Sequence, residues 1–291
     1  MEETPIQGET KSTETRKIEV ESILISDLHL GTKDSKALEC KQFLNMYQFR
    51  KLILVGDIID AWALKRGAAW QPAHTRFVRS LLKKIEKEVC EVYYLRGNHD
   101  DIAAHIMPIA LGCLHIQQEY ALEGKDGRRY LCIHGDGFDS ISTNHRCVAE
   151  LGSACYDALL WLNRLYNRYR RWRGLDYYSL SQAVKGKVKK AVQFFDAYEK
   201  QLTALASRRG FDGIIAGHIH HPADHMIGNG RFRYLNCGDW VETMSAVIEH
   251  TDGRIEIVGF HPSLGVFPLK SGKEKRVSGR RPAMPGQNNS I

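Results

Sequence analysis

Short apolar runs recur at intervals through the first third of the chain. Ile23-Leu24-Ile25, Leu52-Ile53-Leu54-Val55 and Val92-Tyr93-Tyr94-Leu95 are compact and β-like, each ending at polar or glycine residues. Between them the apolar positions fall three or four residues apart, which predicts helices over Ala37–Phe49 and Ala73–Glu88. Later the signals change to those of hairpins. Lys125-Asp126-Gly127 precedes Tyr130-Leu131-Cys132-Ile133, Gly228-Asn229-Gly230 stands alone, and Asp252-Gly253 separates two further apolar runs. β-α-β units followed by antiparallel strands predict a layered α/β protein with sheets sandwiched between helices. From about Ser142 to Arg209 the helical period dominates, interrupted near Gly174.

Composition narrows the class. A chain of 291 residues, 43% hydrophobic and 26% charged, fits a soluble globular protein with a sizeable core. The first seventeen residues are polar and lack the apolar centre of a secretory signal. No run approaches the roughly 18 apolar residues of a spanning helix, so a cytoplasmic protein is expected. The seven cysteines are odd in number and form no C-x-x-C pair, which predicts buried reduced thiols rather than a disulfide framework.

Charge adds a division. The net charge is +7, but residues 268–291 hold six Lys or Arg against one Glu and residues 141–200 hold eleven against five acids. A mildly acidic body thus carries a basic segment and a basic tail, which suits contact with polyanions or an anionic membrane surface; solvated surface charge is the plainer reading of the tail. Its mixture of Gly, Ser and Pro with charges predicts disorder. The expected organisation is a polar tail at 1–17, a folded body at 18–267 with a helical insertion at 141–209, and the basic tail at 268–291.

Five polar clusters sit where an apolar run ends. They are Ser26-Asp27-Leu28-His29, Gly56-Asp57-Ile58-Ile59-Asp60, Gly97-Asn98-His99-Asp100, His134-Gly135-Asp136 and Gly217-His218-Ile219-His220. In α/β sheets the carboxyl ends of strands line the crevice where ligands bind. Two-residue spacing, as in Asp27-x-His29 and His218-x-His220, puts both side chains on the same side of an extended chain. Each cluster alone is weak, since a lone G-D-x-x-D also reads as a loop acid and helix cap. Five in this order argue for convergence of carboxylates, an amide and imidazoles on one point.

The order D-x-H, G-D-x-x-D, G-N-H-D, H and G-H-x-H resembles the calcineurin-like metallophosphoesterase superfamily, over roughly Ile23 to Val258. The resemblance implies a four-layer α-β-β-α sandwich, here with the helical insertion as a lid. It implies one divalent metal held by Asp27, His29, Asp57 and His220, and a second held by Asp57, Asn98, His134 and His218, with Asp57 bridging. Two such cations lie about 3.5–4 Å apart and lower the pKa of the water between them, so attack by a metal-bridging hydroxide on a phosphate ester or anhydride is expected. Mixed nitrogen and oxygen ligands suit Mn²⁺, Fe²⁺ or Zn²⁺ better than Ca²⁺, and Mn²⁺ is the expected ion. By the same resemblance His99 is the general acid, or a stabiliser of the departing oxygen. Asp60 either caps a helix or holds His99.

Within the superfamily the chain is most similar to the UDP-2,3-diacylglucosamine hydrolase group of lipid A biosynthesis. The similarity is carried by Ser26-Asp27-Leu28-His29-Leu30-Gly31, Gly56-Asp57-Ile58-Ile59-Asp60-Ala61-Trp62, His134-Gly135-Asp136 and Gly238-Asp239-Trp240. In that group a helical insertion covers the acyl chains, and cleavage of the diphosphate releases UMP and a lipid monophosphate. The implied substrate is UDP-2,3-diacylglucosamine or a related lipid-linked nucleotide diphosphate, with the protein peripheral on the inner face of a membrane. The chain departs from the group at His99, where those hydrolases carry Arg. Arg offers a fixed fork of donors whereas His can deliver a proton. A phosphodiesterase or nuclease acting on nucleotides or single-stranded nucleic acid is the alternative, and a scaffold that has lost its ligands is disfavoured because every ligand position is filled.

Inside the insertion, Trp161 to Arg173 mixes five arginines with four aromatics. Leu151, Cys155, Ala158, Leu162, Leu165, Tyr169 and Trp172 form one apolar stripe at helical spacing. Three readings stand: a core-packed helix with a solvated basic face, a lipid-facing lid, and a contact for single-stranded nucleic acid. On the lid reading Arg164, Arg168 and Arg171 meet substrate phosphate or headgroups.

Overall fold

Side-chain alternation along three parallel strands divides the protein into layers. β1 (Ile18–Ile25), β2 (Tyr47–Val55) and β3 (Glu91–Leu95) lie side by side, Ile23 opposite Leu52 and Leu52 opposite Val92. Ile23, Ile25, Leu52, Leu54 and Val92 enter a core with Cys40 and Phe43 of α1 (Ala37–Asn45) and Phe77 of α3 (Pro72–Glu86). Leu24, Ile53, Val55 and Leu95, one position out of phase, enter a different core. The computed structural model describes residues 17–87, 89–100, 107–138, 168, 173 and 195–269.

Among the described residues the strands make two sheets. The larger adds β4 (Ile109–Leu111), β5 (Leu114–Gln117), β11 (Ser245–Glu249), β12 (Ile255–His261) and β13 (Gly265–Pro268), in the order β13-β12-β11-β1-β2-β3-β5-β4. The smaller holds β6 (Glu119–Glu123), β7 (Arg129–Ile133), β8 (Gly213–Ala216), β9 (Ala223–Ile227) and β10 (Phe232–Asn236), in the order β6-β7-β8-β10-β9. Leu24, Ile53 and Val55 share the inter-sheet core with Tyr130, Cys132, Ile215 and Leu235. The outer face of the smaller sheet packs Leu131, Ile214 and Tyr234 against Tyr198, Leu202 and Ala206 of a helical stretch, residues 195–208. This is the four-layer α-β-β-α sandwich that the resemblance implied.

The helix predicted over Ala37–Phe49 stops at Asn45. Tyr47 and Phe49 alternate with the exposed Gln48 and Arg50, and they pair with Ile18 and Val20 of β1. Burial of both rings in a strand outweighs the helical spacing. α3 begins one residue earlier than predicted, because Pro72 occupies the first turn, where its missing N–H costs nothing. Five cysteines (Cys40, Cys90, Cys113, Cys132 and Cys237) are buried and free. Most of the 141–209 insertion, nearly all of the 1–17 tail and the tail beyond Leu269 lie outside the described residues. Among those described, no helix is long and apolar enough to cross a membrane.

Candidate metal centre

All five polar clusters follow directly on strands. Asp27 follows β1, Asp57 follows β2, Asn98 follows β3, His134 follows β7 and His218 follows β8. The chain turns sharply at these points. Asp27, His29, Asp57, His218 and His220 have φ of 53°, 48°, 53°, 71° and 52°, a left-handed conformation that side chains disfavour. Backbone bonds hold the turns in place: Asp27 N donates to Gly56 O (3.1 Å) and His29 N to Asp57 O (2.9 Å). Gly97 permits a close approach, since a Cβ there would collide with the Asp57 carboxylate.

The turns bring donors together in three groups among the described residues, one of them His29, Asp60 and His99, and two that gather the expected ligands. Asp27, His29 and His220 form one, with His220 Nε2 3.2 Å and His29 Nε2 3.7 Å from Asp27 Oδ1. Asp57, His134 and His218 form the other, with His134 Nε2 3.3 Å from Asp57 Oδ2. Asp57 Oδ2 also lies 3.8 Å from His29 Nε2, so this one carboxylate faces both groups.

Three imidazoles are oriented from behind. Their Nδ1 atoms face Asp60 Oδ2 (His29, 3.2 Å), Asp239 Oδ2 (His220, 3.5 Å) and Val55 O (His134, 2.9 Å). Each Nε2 is thereby turned toward the carboxylates, the arrangement by which histidine ligands are held for a metal. His99 has the same polarity, with Nδ1 3.0 Å from Asp60 Oδ2 and Nε2 4.0 Å from Asp57 Oδ2. Asp60 also accepts from Ala63 N (2.7 Å) at the start of α2 (Ala61–Lys65). The two expectations for Asp60, cap and His99 partner, are therefore met together.

Charge is concentrated and buried here. Burial raises the Asp27 carboxyl, but His220, His29 and His134 outweigh it and hold the group well below the usual carboxylate range. Burial raises Asp57 as well, and chiefly His134 brings it below its ordinary value. Burial lowers the imidazoles, yet Asp27 and Asp60 raise His29 to about 9 and Asp57 raises His134 to about 10. Asp100 goes the other way, pushed up by burial and by the Asp57 charge. A cation in place of these protons satisfies the same carboxylates.

The donor atoms themselves fit divalent ions. Asp27 Oδ1, His29 Nε2, Asn98 Oδ1 and His134 Nε2 are buried with no hydrogen-bond partner among the described residues. Buried polar atoms are left unpaired in native proteins only at a cost, which an ion on these lone pairs removes. Mixed imidazole, amide and carboxylate donors match Mn²⁺, Fe²⁺ or Zn²⁺.

Comparison with known proteins agrees with the geometry. The model of the calcineurin-like phosphoesterase family matches residues 22–222. The chain belongs to the calcineurin-like phosphoesterase family. Divalent-metal binding and phosphoester hydrolysis accompany that membership. Among its relatives, the UDP-2,3-diacylglucosamine hydrolase of Pseudomonas paraeruginosa is 26% identical over 75% of this chain and 90% of its own. That of Bordetella parapertussis is 25% identical over 75% and 84%, and that of Shewanella halifaxensis 21% identical over 81% and 97%. Among solved structures, Vacuolar Protein Sorting 29 of Cryptosporidium parvum aligns over 87% of this chain and 92% of its own, with 13% identity and a TM-score of 0.39.

In this phosphoesterase the structure gathers Asp27, His29, Asp57, His134, His218, His220 and His99, and leaves Asn98 Oδ1 buried and without a partner among the described residues. Arg168 is an exposed helical position, while Arg164 and Arg171 lie outside the described residues. Three residues with no role assigned from the sequence contribute as well. Asp239, fully buried, backs His220 and accepts from the N–H groups of Val241 and Glu242 (2.7 and 2.5 Å). His74 Nδ1 accepts from Gly31 N (3.2 Å), tying α3 to the loop that carries His29. Asp100 accepts from Ile58 N (2.9 Å), Gly97 N (2.5 Å) and Tyr94 Oη (2.7 Å), bracing two ligand loops. Asp239 and Asp100 stood inside motifs, Gly238-Asp239-Trp240 and Gly97-Asn98-His99-Asp100; His74 had no signal, since its partner Gly31 N is a backbone group distant in sequence.

Proposed function

We propose that this chain is a two-metal phosphohydrolase that cleaves a lipid-linked nucleotide diphosphate, with UDP-2,3-diacylglucosamine as the leading substrate. The observation that carries the two-metal reading is Asp57 facing both donor groups, 3.3 Å from His134 Nε2 and 3.8 Å from His29 Nε2. On this reading Asp27, His29, Asp57 and His220 hold one ion, and Asp57, Asn98, His134 and His218 hold the other, with Mn²⁺ the first to test. Bound there, the ions supply an activated water and neutralise the phosphoryl oxygens.

The remaining work falls to residues around the ions. His99 is partly open to solvent and its Nδ1 lies 3.0 Å from Asp60 Oδ2, which leaves Nε2 to carry a proton to the departing oxygen. The half-exposed indole of Trp62 stands 4.6 Å from the His99 ring, centroid to centroid, and walls that side. The substrate class is supported by the similarity to curated UDP-2,3-diacylglucosamine hydrolases. A lipid-linked substrate places the protein in the cytoplasm against the inner face of a membrane, where the basic segments meet anionic headgroups.

The test is Mn²⁺ loading followed by elemental analysis and a substrate panel. Two ions per chain and release of UMP from UDP-2,3-diacylglucosamine are expected. A single ion overturns the two-metal reading. Faster turnover of single-stranded DNA or bis(p-nitrophenyl) phosphate than of the lipid nucleotide overturns the substrate.

A further inference from the structure

The 195–208 helix contributes more than packing. Tyr198 is buried with Leu202 and Ala206 in the outer core of the smaller sheet. Its hydroxyl passes beyond that core to the strand ends, where it lies 3.2 Å from His134 O and 3.2 Å from Gly217 O, in position to donate to either or share its proton between them. His134 itself, and His218 next to Gly217, are two of the three donors in the Asp57 group. One hydroxyl thus spans the ends of β7 and β8 just where they release their ligands.

The surroundings are shaped for this contact. Gly217 N donates to His134 O (3.2 Å), so the two ends are already in register. Asn236 Nδ2 holds the Gly217 carbonyl from another direction at 2.8 Å. Gly135 has φ of 105°, and a Cβ there would collide with the Tyr198 hydroxyl. The apolar packing does not require the oxygen, since phenylalanine fills the same core volume. What the oxygen adds is a fixed separation between two ligand-bearing backbones.

We propose that Tyr198 is a positioning residue for the Asp57, His134 and His218 donor group, acting through the His134 and Gly217 carbonyls. The proposal rests on the two-metal reading above. The other group is oriented chiefly from different points, Asp60 behind His29 and Asp239 behind His220, and meets this one where Asp27 Oδ2 accepts from His218 N (2.8 Å).

Tyr198→Phe tests this by calorimetric titration of the metal-free protein with Mn²⁺. Wild type takes two ions. The variant is expected to bind one ion as wild type does and the other about 10- to 100-fold more weakly, the usual effect of losing a group that orients a ligand. Leu202→Ala, in the same helix and core, serves as the control: it lowers the melting temperature and leaves both affinities unchanged. Wild-type titration of Tyr198→Phe overturns the proposal, as does equal weakening of the same ion by Leu202→Ala. If wild type itself takes fewer than two ions, the two-metal reading falls and the inference with it. If wild type takes two and the variant is unaltered, only the inference falls.

Discussion

Asp60 Oδ2 lies 3.0 Å from His99 Nδ1 and also 3.2 Å from His29 Nδ1, so one carboxylate orients both a ligand and the proposed acid. Burial raises its pKa, but His29, the Ala63 N–H and His99 together drive it far below the ordinary value. A depressed carboxyl lends stability above its unfolded pKa of about 4, and that stability is lost as pH falls through the folded value. Metal-free protein should therefore lose a contribution from Asp60 only in acid, below about pH 4. Asp60→Asn keeps an oxygen for the Ala63 cap but loses the charge between two imidazoles. We expect a lower melting temperature in the metal-free protein, as that charge is lost, and a fall in kcat of about 10- to 100-fold. Unaltered kcat would remove the orienting role.

His99→Ala should retain both ions and lose about 10²–10⁴ in turnover, the range for a positioned acid. The loss should be small for p-nitrophenyl esters, whose leaving group needs no proton. Comparison of kcat on good and poor leaving groups checks this, and equal losses on both would argue against proton donation.

Protons and ions compete for the same nitrogens. His29 is raised to about 9 and His134 to about 10, burial opposing and neighbouring carboxylates prevailing. Their contribution to metal-free stability is complete below the unfolded value of about 6.5 and is lost as pH rises through 9 to 10. Loading at pH 7 must expel these protons, so affinity should climb with pH toward 9. Titration in two buffers of different ionisation enthalpy measures the release. Loading without proton release would show that these histidines are neutral beforehand.

Gly97→Ala drives a Cβ into the Asp57 carboxylate. Because Asp57 faces both donor groups, a displacement of this one side chain should weaken both ions, by about 10-fold or more each. Elemental analysis after dialysis is the check; retention of two ions would mean that the Gly97 loop yields instead.

The clusters were legible because each falls on an apolar run's end, and strand ends are where side chains can converge. Asp27, Asp57, Asn98, His134 and His218 all follow strands that the sequence marks by alternating or continuous apolar residues. The α1–β2 boundary was misread because Tyr47 and Phe49 satisfy helical and strand spacing alike, and only pairing with Ile18 and Val20 decides between them. His74 and Tyr198 were silent for another reason. Each acts on backbone N–H or C=O groups of residues remote in the chain, and backbone groups leave no letter in a sequence.

Five of the proposed ligand residues hold left-handed backbone, each at a cost on the order of 1 kcal/mol relative to glycine. Glycine at Asp27, His29, Asp57, His218 or His220 would relax the turn and also remove a buried charge or imidazole. Two effects then oppose each other in chelator: the turn gains about 1 kcal/mol from glycine, while the buried partner left behind loses its counter-charge at a larger cost. The strained turns are held by the same charges that would hold metal, so single glycine variants should melt lower in chelator than the parent protein.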